Sequence, residues 1–420
     1  MASAKEWLKS RALFPRLFPD PPDPLTGIII VVPAFDEPGI TTLLDSLASC
    51  SKPECATEVI IIVNAPVNAG HQSLLNNEIC IQEISAWNKA NQSSFLKILA
   101  YDTGQPLIKG WGAGLARKAG MDEALRRFSI IDKPDGIIVS LDADCTVGKD
   151  YLKEIYSKLQ PGSKENACSI WFEHPLAGNE FPDQVYRYVS KYELHMRYFL
   201  QAVRYTGFPY AFHTIGSAIA CKADAYLRSG GMNRRQAGED FYFIQKLVPL
   251  GGFFELNTTT VYPSPRISSR VPFGTGPVIS KMIAEKTDLF LTYCPQAFFE
   301  LRKVFLALGE IYSLGGIEDK AFYDTLPESV KSFITSQEWS EKIMEIMENT
   351  SNEDSFRKRF CNWFNMFRIV KYLNHAHSAL FTKMPVEDAA SSLLTLTGRS
   401  HDSEDTVSLL RRYRTIEKSS

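Results

Sequence analysis

Apolar residues in this chain gather in short unbroken runs, each followed by a stretch in which they recur every three or four positions. The first run, Gly27 to Val32, is β-branched after its glycine and stops at Pro33. A continuous apolar run without polar alternation is what a parallel strand covered on both faces requires. A helical stretch around Leu43, Leu44 and Leu47 follows, then a strand from Glu58 to Val63 and a helix through Ile81, Ile84 and Trp87. A third strand, Phe95 to Tyr101, leads into a helix from Trp111 to Phe128 and a fourth strand, Gly136 to Leu141. Strands alternating with helices at this spacing predict an α/β fold, a mostly parallel Rossmann-type sheet with helices on both faces.

The alternation continues with a strand Ala167 to Phe172 and an aromatic-rich helix from about Asp183 to Arg204. A strand near Ile215 to Cys221, a helix starting around Glu239 and a strand pair, Phe253 to Leu256 and Thr258 to Tyr262, complete the series. From residue 281 the periodicity is helical with few strand signals. The expected organisation is an extended, Pro-rich lead-in over 1–25, an α/β domain over 26–280 and a helical region over 281–420.

Composition narrows the function. With 46 Lys and Arg against 48 Asp and Glu in 420 residues, the net charge is −2. No global field draws the chain onto nucleic acid, so an anionic substrate must be held locally. The eight cysteines form no C-x-x-C pair and no cluster at zinc-ligand spacing, and they read as reduced, buried thiols. The N-terminal segment lacks the apolar core of a signal peptide, and no later run approaches the ~18–20 apolar residues that span a bilayer. A cytoplasmic protein is expected, with peripheral contact at a membrane surface left open.

In parallel sheets ligands bind beyond the carboxyl ends of the strands. Pro33 to Glu37, Asn64 and Asp142-Ala143-Asp144 all sit at such ends. Asp142 and Asp144, two residues apart where a buried strand runs into a loop, lie on one side of the extended backbone. Two hard carboxylates on one face suit Mg2+ or Mn2+ that also takes diphosphate oxygens. The same residues also match the opening motif of haloacid-dehalogenase-like phosphohydrolases, in which Asp142 would be the nucleophile. That family opens with this strand, whereas three strand-helix units precede it in this chain.

Val32-Pro33-Ala34-Phe35-Asp36-Glu37, then Val63-Asn64-Ala65, the Asp142/Asp144 pair, Ile215-Gly216-Ser217-Ala218 and Gly238-Glu239-Asp240 follow one another in that order. Together they resemble the family 2 glycosyltransferases and their GT-A fold over roughly residues 26 to 265. The resemblance implies an inverting transfer of a hexose-type sugar from a nucleotide-diphosphate sugar to an acceptor hydroxyl. It implies that Pro33, Ala34, Phe35 and Glu37 cup the base and ribose, and that Asn64 contacts the base. Asp144, with Asp142 and Ala143 beside it, would serve the metal and the diphosphate. The glycine-containing segment Lys109 to Gly120 falls at the family's helix start, where Arg117 can reach phosphate oxygens. The acidic pair at the later helix start implies Asp240 as the general base, with Glu239 orienting the acceptor.

Beyond the base, Arg266 and Arg270 lie in a loop-forming segment that could close as a lid over the diphosphate. No histidine occurs between His213 and His375, so the metal ligand that some relatives place there has no counterpart. Trp171, Glu173 and His174 are further candidates on the acceptor side. The aromatic stripe of residues 185–204, with Tyr192, His195 and Phe199, could frame an acceptor sugar by aromatic contact, and packing surface is the more frequent use of such a stripe. Acceptors of three kinds stay open: a glycan, a lipid-linked glycan or a small molecule. A catalytically inactive nucleotide-sugar-binding protein is the remaining alternative.

Overall fold

The computed structural model describes residues 2–91, 95–108, 111–234, 238–268, 274–315, 319–399 and 405–419. They divide into two compact units, residues 1–186 with 214–280 and residues 187–213 with 281–420.

The first unit is built on an eight-stranded sheet. In chain order its elements are α1 (Ala2–Arg11), β1 (Thr26–Ala34), α2 (Ile40–Ala48), β2 (Ala56–Val63), α3 (His71–Ala90), β3 (Leu96–Asp102) and α4 (Ala113–Ile130). They continue as β4 (Ile137–Ser140), β5 (Thr146–Val147), α5 (Tyr151–Leu159), β6 (Ala167–Phe172), the start of α6 (Asp183–Tyr205), β7 (Ile219–Lys222), α7 (Ala223–Arg228), α8 (Glu239–Leu247) and β8 (Phe253–Tyr262). The strand order is β3-β2-β1-β4-β7-β6-β8-β5, and only β7 and β5 run against the others. This is the mostly parallel α/β sheet the alternating pattern called for.

β1, β2 and β4 are buried from end to end apart from Ala56 at the start of β2, which explains their unbroken apolar sequences. Register pairs Ala34 with Val63 and Val31 with Ser140, so the loops after β1, β2 and β4 emerge side by side. Helix α4 packs on β1, β2 and β4. It comes close because Gly120 has no side chain: a Cβ there would lie 2.3 Å from Val31 Cγ1.

Three expectations need correction. The lead-in is not extended throughout, because residues 2–11 form α1; this stretch carries good helix formers and its first proline comes only at Pro15. Trp7 of α1 packs edge-on against Tyr226, and Lys118 Nζ lies 5.2 Å over its ring. The expected strand pair at 253–262 is one strand, β8, since Asn257-Thr258 contains neither Gly nor Pro to turn the chain. β8 pairs with β6 across a register shift near Phe172 and then with β5 at Tyr262. Short β5 and α7 leave no periodicity to read and were not anticipated.

The second unit takes in most of α6 and then α9 (Thr275–Ala284, from residue 281), β9 (Leu291–Thr292), α10 (Pro295–Leu306), α11 (Leu308–Ser313), α12 (Asp319–Thr325), α13 (Glu328–Phe333) and α14 (Ser336–Glu348). It ends with α15 (Glu353–Trp363), α16 (Met366–Ala379), β10 (Met384–Pro385), α17 (Val386–Leu396) and α18 (Thr406–Lys418). Trp339, Phe356, Phe360 and Phe364 fill its core. The aromatic stripe of α6 is packed, with Phe199 against Tyr293 and Phe298 and Tyr192 against Phe290. His195 Nδ1 meets Thr292 Oγ1 at 2.8 Å and His213 Nε2 meets Glu417 at 3.0 Å, so both histidines are spoken for. Among the described residues no helix is long and apolar enough to cross a membrane.

Candidate functional site

The loops after β1, β2 and β4 and the start of α8 bring acidic and basic side chains together within the first unit. Asp142 and Asp144 follow β4, each held by a different arginine. Arg117 Nη2 donates to Asp142 Oδ1 at 2.5 Å, and Arg266 Nε lies 2.9 Å from Asp144 Oδ2. Arg117 also donates through Nη1 to Glu239, so one guanidinium joins the β4 loop to the first residue of α8. Arg266 forks onto both oxygens of Glu37 at 2.5 Å, tying the segment after β8 to the loop after β1.

Arg117 is 4% exposed and rests over Gly216, where a Cβ would come within 2.9 Å of Nη1. Gly216 is in turn fixed by Ser140 Oγ, which donates to its carbonyl at 2.6 Å. Burial alone would lower the guanidinium's affinity for its proton, but Asp142 and Glu239 outweigh it and keep the charge. Lys118, one residue on, turns away to pair with buried Asp122.

Glu239 and Asp240 open α8 directly after Gly238, whose positive φ of 68° supplies the left-handed entry. Asp240 Oδ1 accepts the backbone N–H of Phe241 at 2.7 Å. Burial, and next the adjacent charge of Glu239, push Asp240 up to about 6, against the pull of Arg117. Burial raises Glu37 to about 8 in spite of Arg266, and it raises Asp144 as well, again against Arg266.

Asn64 is 1% exposed at the end of β2. Its Nδ2 donates to Ala34 O at 2.9 Å and to Ile62 O at 3.4 Å, and these two carbonyls fix the amide's orientation. Oδ1 is buried and has no hydrogen-bond partner among the described residues. Pro33 and Ala34 are the last residues of β1, Phe35 stands half-buried just beyond, and Ala143 is buried between the two aspartates. Of the residues expected on the acceptor side, Trp171 Nε1 donates to Glu173 at 2.8 Å and His174 Nε2 lies 3.2 Å from Thr275 Oγ1. Arg270 lies outside the described residues, as do Lys109 and Gly110.

Sequence reasoning missed the support beneath these loops. Asn77 of α3 donates to Asn64 O at 2.9 Å and accepts from Asp36 N at 2.9 Å, bridging the loops after β1 and β2. Asn76 and Ser73 hold the Asp36 carboxylate, whose residue takes a left-handed φ of 52°. In Ser73-Leu74-Leu75-Asn76-Asn77 a buried asparagine cannot be told from a solvated one. Gly216 was visible as part of a motif, but not as the seat of a guanidinium.

The donors suit a hard divalent cation in kind, being carboxylates. Asp142 and Asp144 would supply two ligands; among the described residues no three His, Cys, Asp or Glu side chains already converge on one point. Asp142, Asp144, Glu239 and Asp240 outnumber the two described arginines beside them, while burial favours the protonated form of Glu37, and this surplus of carboxyl oxygens fits a cation.

No protein-family model matches the chain, and no curated protein is similar to it in sequence. Among solved structures, S. aureus TarS 1-349 in complex with UDP-GlcNAc is 14% identical over 81% of this chain and 91% of its own, with a TM-score of 0.41. The mannosyltransferase PcManGT from Pyrobaculum calidifontis, in complex with GDP-Man and Mn2+, is 14% identical over 99% of this chain and 92% of its own, TM-score 0.36. Glucosyl-3-phosphoglycerate synthase from Mycobacterium tuberculosis is 14% identical over 60% of this chain and 72% of its own, TM-score 0.30. Similarity this distant assigns no activity, so the chemistry rests on the residues themselves.

Proposed function

We propose that this chain is an inverting glycosyltransferase that moves a hexose-type sugar from a nucleotide-diphosphate sugar to an acceptor hydroxyl. The observation that carries the reading is the convergence of Asp142, Asp144, Glu239, Asp240 and two arginines at the carboxyl ends of β1, β2 and β4. Residues 26–280 would form the catalytic domain, with 281–420 as its helical companion. Asp144, assisted by Asp142, would hold Mg2+ or Mn2+, which as a Lewis acid neutralises a leaving diphosphate. Arg266 is suited to exchange its carboxylates for phosphate oxygens, since a guanidinium fork matches either partner; Arg270 keeps the same proposed role. Arg117, already committed to Asp142 and Glu239, serves the site by holding the two in place.

Asp240 would take the proton of the acceptor hydroxyl, and a carboxyl raised to about 6 is a stronger base than an ordinary aspartate while still ionised near neutrality. Glu239 would keep the acceptor and the base aligned. Pro33, Ala34, Phe35 and Glu37 would border the nucleoside. With its amide N–H groups committed, Asn64 can only accept, so it would read an N–H on the base edge. Cytoplasmic placement, with acceptors drawn from glycans, lipid-linked glycans or small molecules, completes the proposal.

A thermal-shift screen of nucleoside diphosphates and their sugars, with and without Mn2+, identifies the donor by mass action. With that donor, Asp144→Asn and Asp240→Asn should each abolish transfer; near-normal turnover in either would overturn the assignment. Phosphate release from simple phosphomonoesters through Asp142 would favour a hydrolase instead. Asn64→Leu should weaken nucleoside diphosphate binding by roughly tenfold while sparing inorganic pyrophosphate, in keeping with ~1–2 kcal/mol for one buried hydrogen bond.

A further inference from the structure

We infer that Trp7 of α1 is a positioning residue for α8, the helix that opens with Glu239 and Asp240. Its bearing on transfer rests on the roles proposed above for those two acids, and every residue involved lies in the first unit. Trp7 sits where three parts of the chain meet. Its ring packs edge-on against Tyr226 of α7, 6.0 Å between centroids, and Lys118 Nζ of α4 lies 5.2 Å over it. The third partner is the turn that closes α7. Gly231 in this turn takes a left-handed φ of 70°, and a Cβ on it would lie 2.7 Å from Trp7 Cη2. The indole therefore rests directly on the turn's backbone. An indole suits the position, because its face attracts the Lys118 ammonium while its rim fits against the bare glycine.

Both the turn and Tyr226 hold α8. Lys246, in the last turn of α8, donates to the Gly231 carbonyl and lies 6.0 Å over the ring of Phe243. Phe243 is fully buried and meets Tyr226 edge to face at 5.7 Å. Tyr226 is held in turn, since its hydroxyl donates to Asp122 at 2.7 Å and Asp122 pairs with Lys118, the lysine that faces Trp7. The contacts thus form a closed circuit that leaves Trp7 through Lys118 and Tyr226, passes through α8 and returns through Gly231. A second tie joins the end of α1 to the approach to α8, where Arg234 Nη2 donates to Arg11 O at 3.3 Å. Phe243 stands one helical turn from Glu239 and Asp240, so a tilt of α8 at this point displaces both acids. Asp142 and Asp144, by contrast, follow β4, which is fixed by ladders to β1 and β7. Loss of the indole should therefore move the proposed base relative to the strand-borne acids, and a misplacement of about 1 Å can cost roughly a hundredfold in rate.

The test compares full-length wild type with Trp7→Ala and Trp7→Phe, by hydrogen exchange read in a mass spectrometer and by kinetics with the donor found in the thermal-shift screen. Trp7→Ala should speed exchange across 239–247 by roughly tenfold and leave 26–34 unchanged. It should lower kcat by roughly tenfold to a hundredfold while the Kd for the nucleoside diphosphate with Mn2+ stays within about twofold. Trp7→Phe, which keeps a ring against Gly231 and Lys118, should recover most of both losses. Lys9→Ala, at an exposed position of α1, should match wild type throughout. All proteins are read well below their melting midpoints, and if Trp7→Ala does not fold, Trp7→Leu takes its place with effects in the same direction. The proposal is overturned if exchange in α8 is unchanged, or if it rises while kcat holds. It is equally overturned if donor binding and the protection of β1 fall as far as kcat, because that marks a general loosening. Failure of the functional reading looks different, since wild type would then transfer no sugar. Exchange alone would then decide: a rise confined to α8 upholds the placement of that helix by Trp7, and no rise overturns it.

Discussion

Replacing Asp240 by asparagine should abolish sugar transfer and stabilise the folded chain near neutral pH. The carboxyl is raised to about 6 by burial and by Glu239, whereas in the unfolded chain it returns to the ordinary value of 3.8. The folded state therefore holds this proton more tightly than the unfolded one does. Below about pH 4 the carboxyl is protonated in both states and carries no ionisation penalty. As pH rises from 4 towards 6 the unfolded state ionises first, stability falls, and the deficit is complete above about pH 7. The difference between the two values corresponds to about 3 kcal/mol at most. The side chain keeps partial exposure, so solvent screening brings the expected gain from neutralising it to about 1–2 kcal/mol. Asparagine keeps nearly the same shape and retains an oxygen to accept from Phe241 N. Thermal unfolding of both proteins from pH 4 to 8 should show curves that coincide at the acid end and separate by roughly 2–8 °C at pH 7.5. A variant that is less stable at neutral pH, or equally shifted at pH 4 and 7.5, would refute the reasoning. On the proposed role of Asp240, this would be stability surrendered to keep a general base in place.

Four further outcomes follow from the same contacts. In wild type, kcat/KM for transfer should fall as pH drops through about 6, where Asp240 takes up its proton. Arg117→Met leaves Asp142 and Glu239 without their shared partner and should lower stability by about 3–5 kcal/mol in chemical denaturation. Gly120→Ala forces a Cβ onto Val31 and should cost about 1–3 kcal/mol, read in the same way. Mn2+ binding followed by electron paramagnetic resonance should be lost in Asp144→Asn and tightened in Arg266→Gln, which removes the guanidinium competing for Asp144.

Much of this fold could be read from hydrophobic runs because β1, β2 and β4 are buried on both faces, and burial leaves no polar residue to interrupt the run. The positions of Asp142, Asp144, Asn64 and Glu37 were legible for a related reason: they sit where those runs stop. What binds these residues to one another was not legible. The pairings of Arg117 with Glu239 and of Arg266 with Glu37 span 122 and 229 positions of chain, and no local pattern encodes them. Asn77 and Gly216 act through what they touch, a backbone bridge in one case and a guanidinium in the other. Helix α1 was not legible because Ala2–Arg11 has only a weak apolar periodicity of its own and precedes a segment whose prolines impose extended backbone.

The guanidinium of Arg117 also bears on how this site could change by mutation. Because one side chain grips both the β4 loop and the first residue of α8, substitutions at Asp142 and Glu239 cannot act independently. Removing either acid leaves the same buried cation half satisfied, so the second loss should cost less or more than the first, and the two effects should not add. On the proposed roles, variants that alter the start of α8 to change the acceptor should disturb the β4 loop with it. Directed evolution of this chain should therefore find its improvements as linked pairs across Arg117, seldom as single steps on either side.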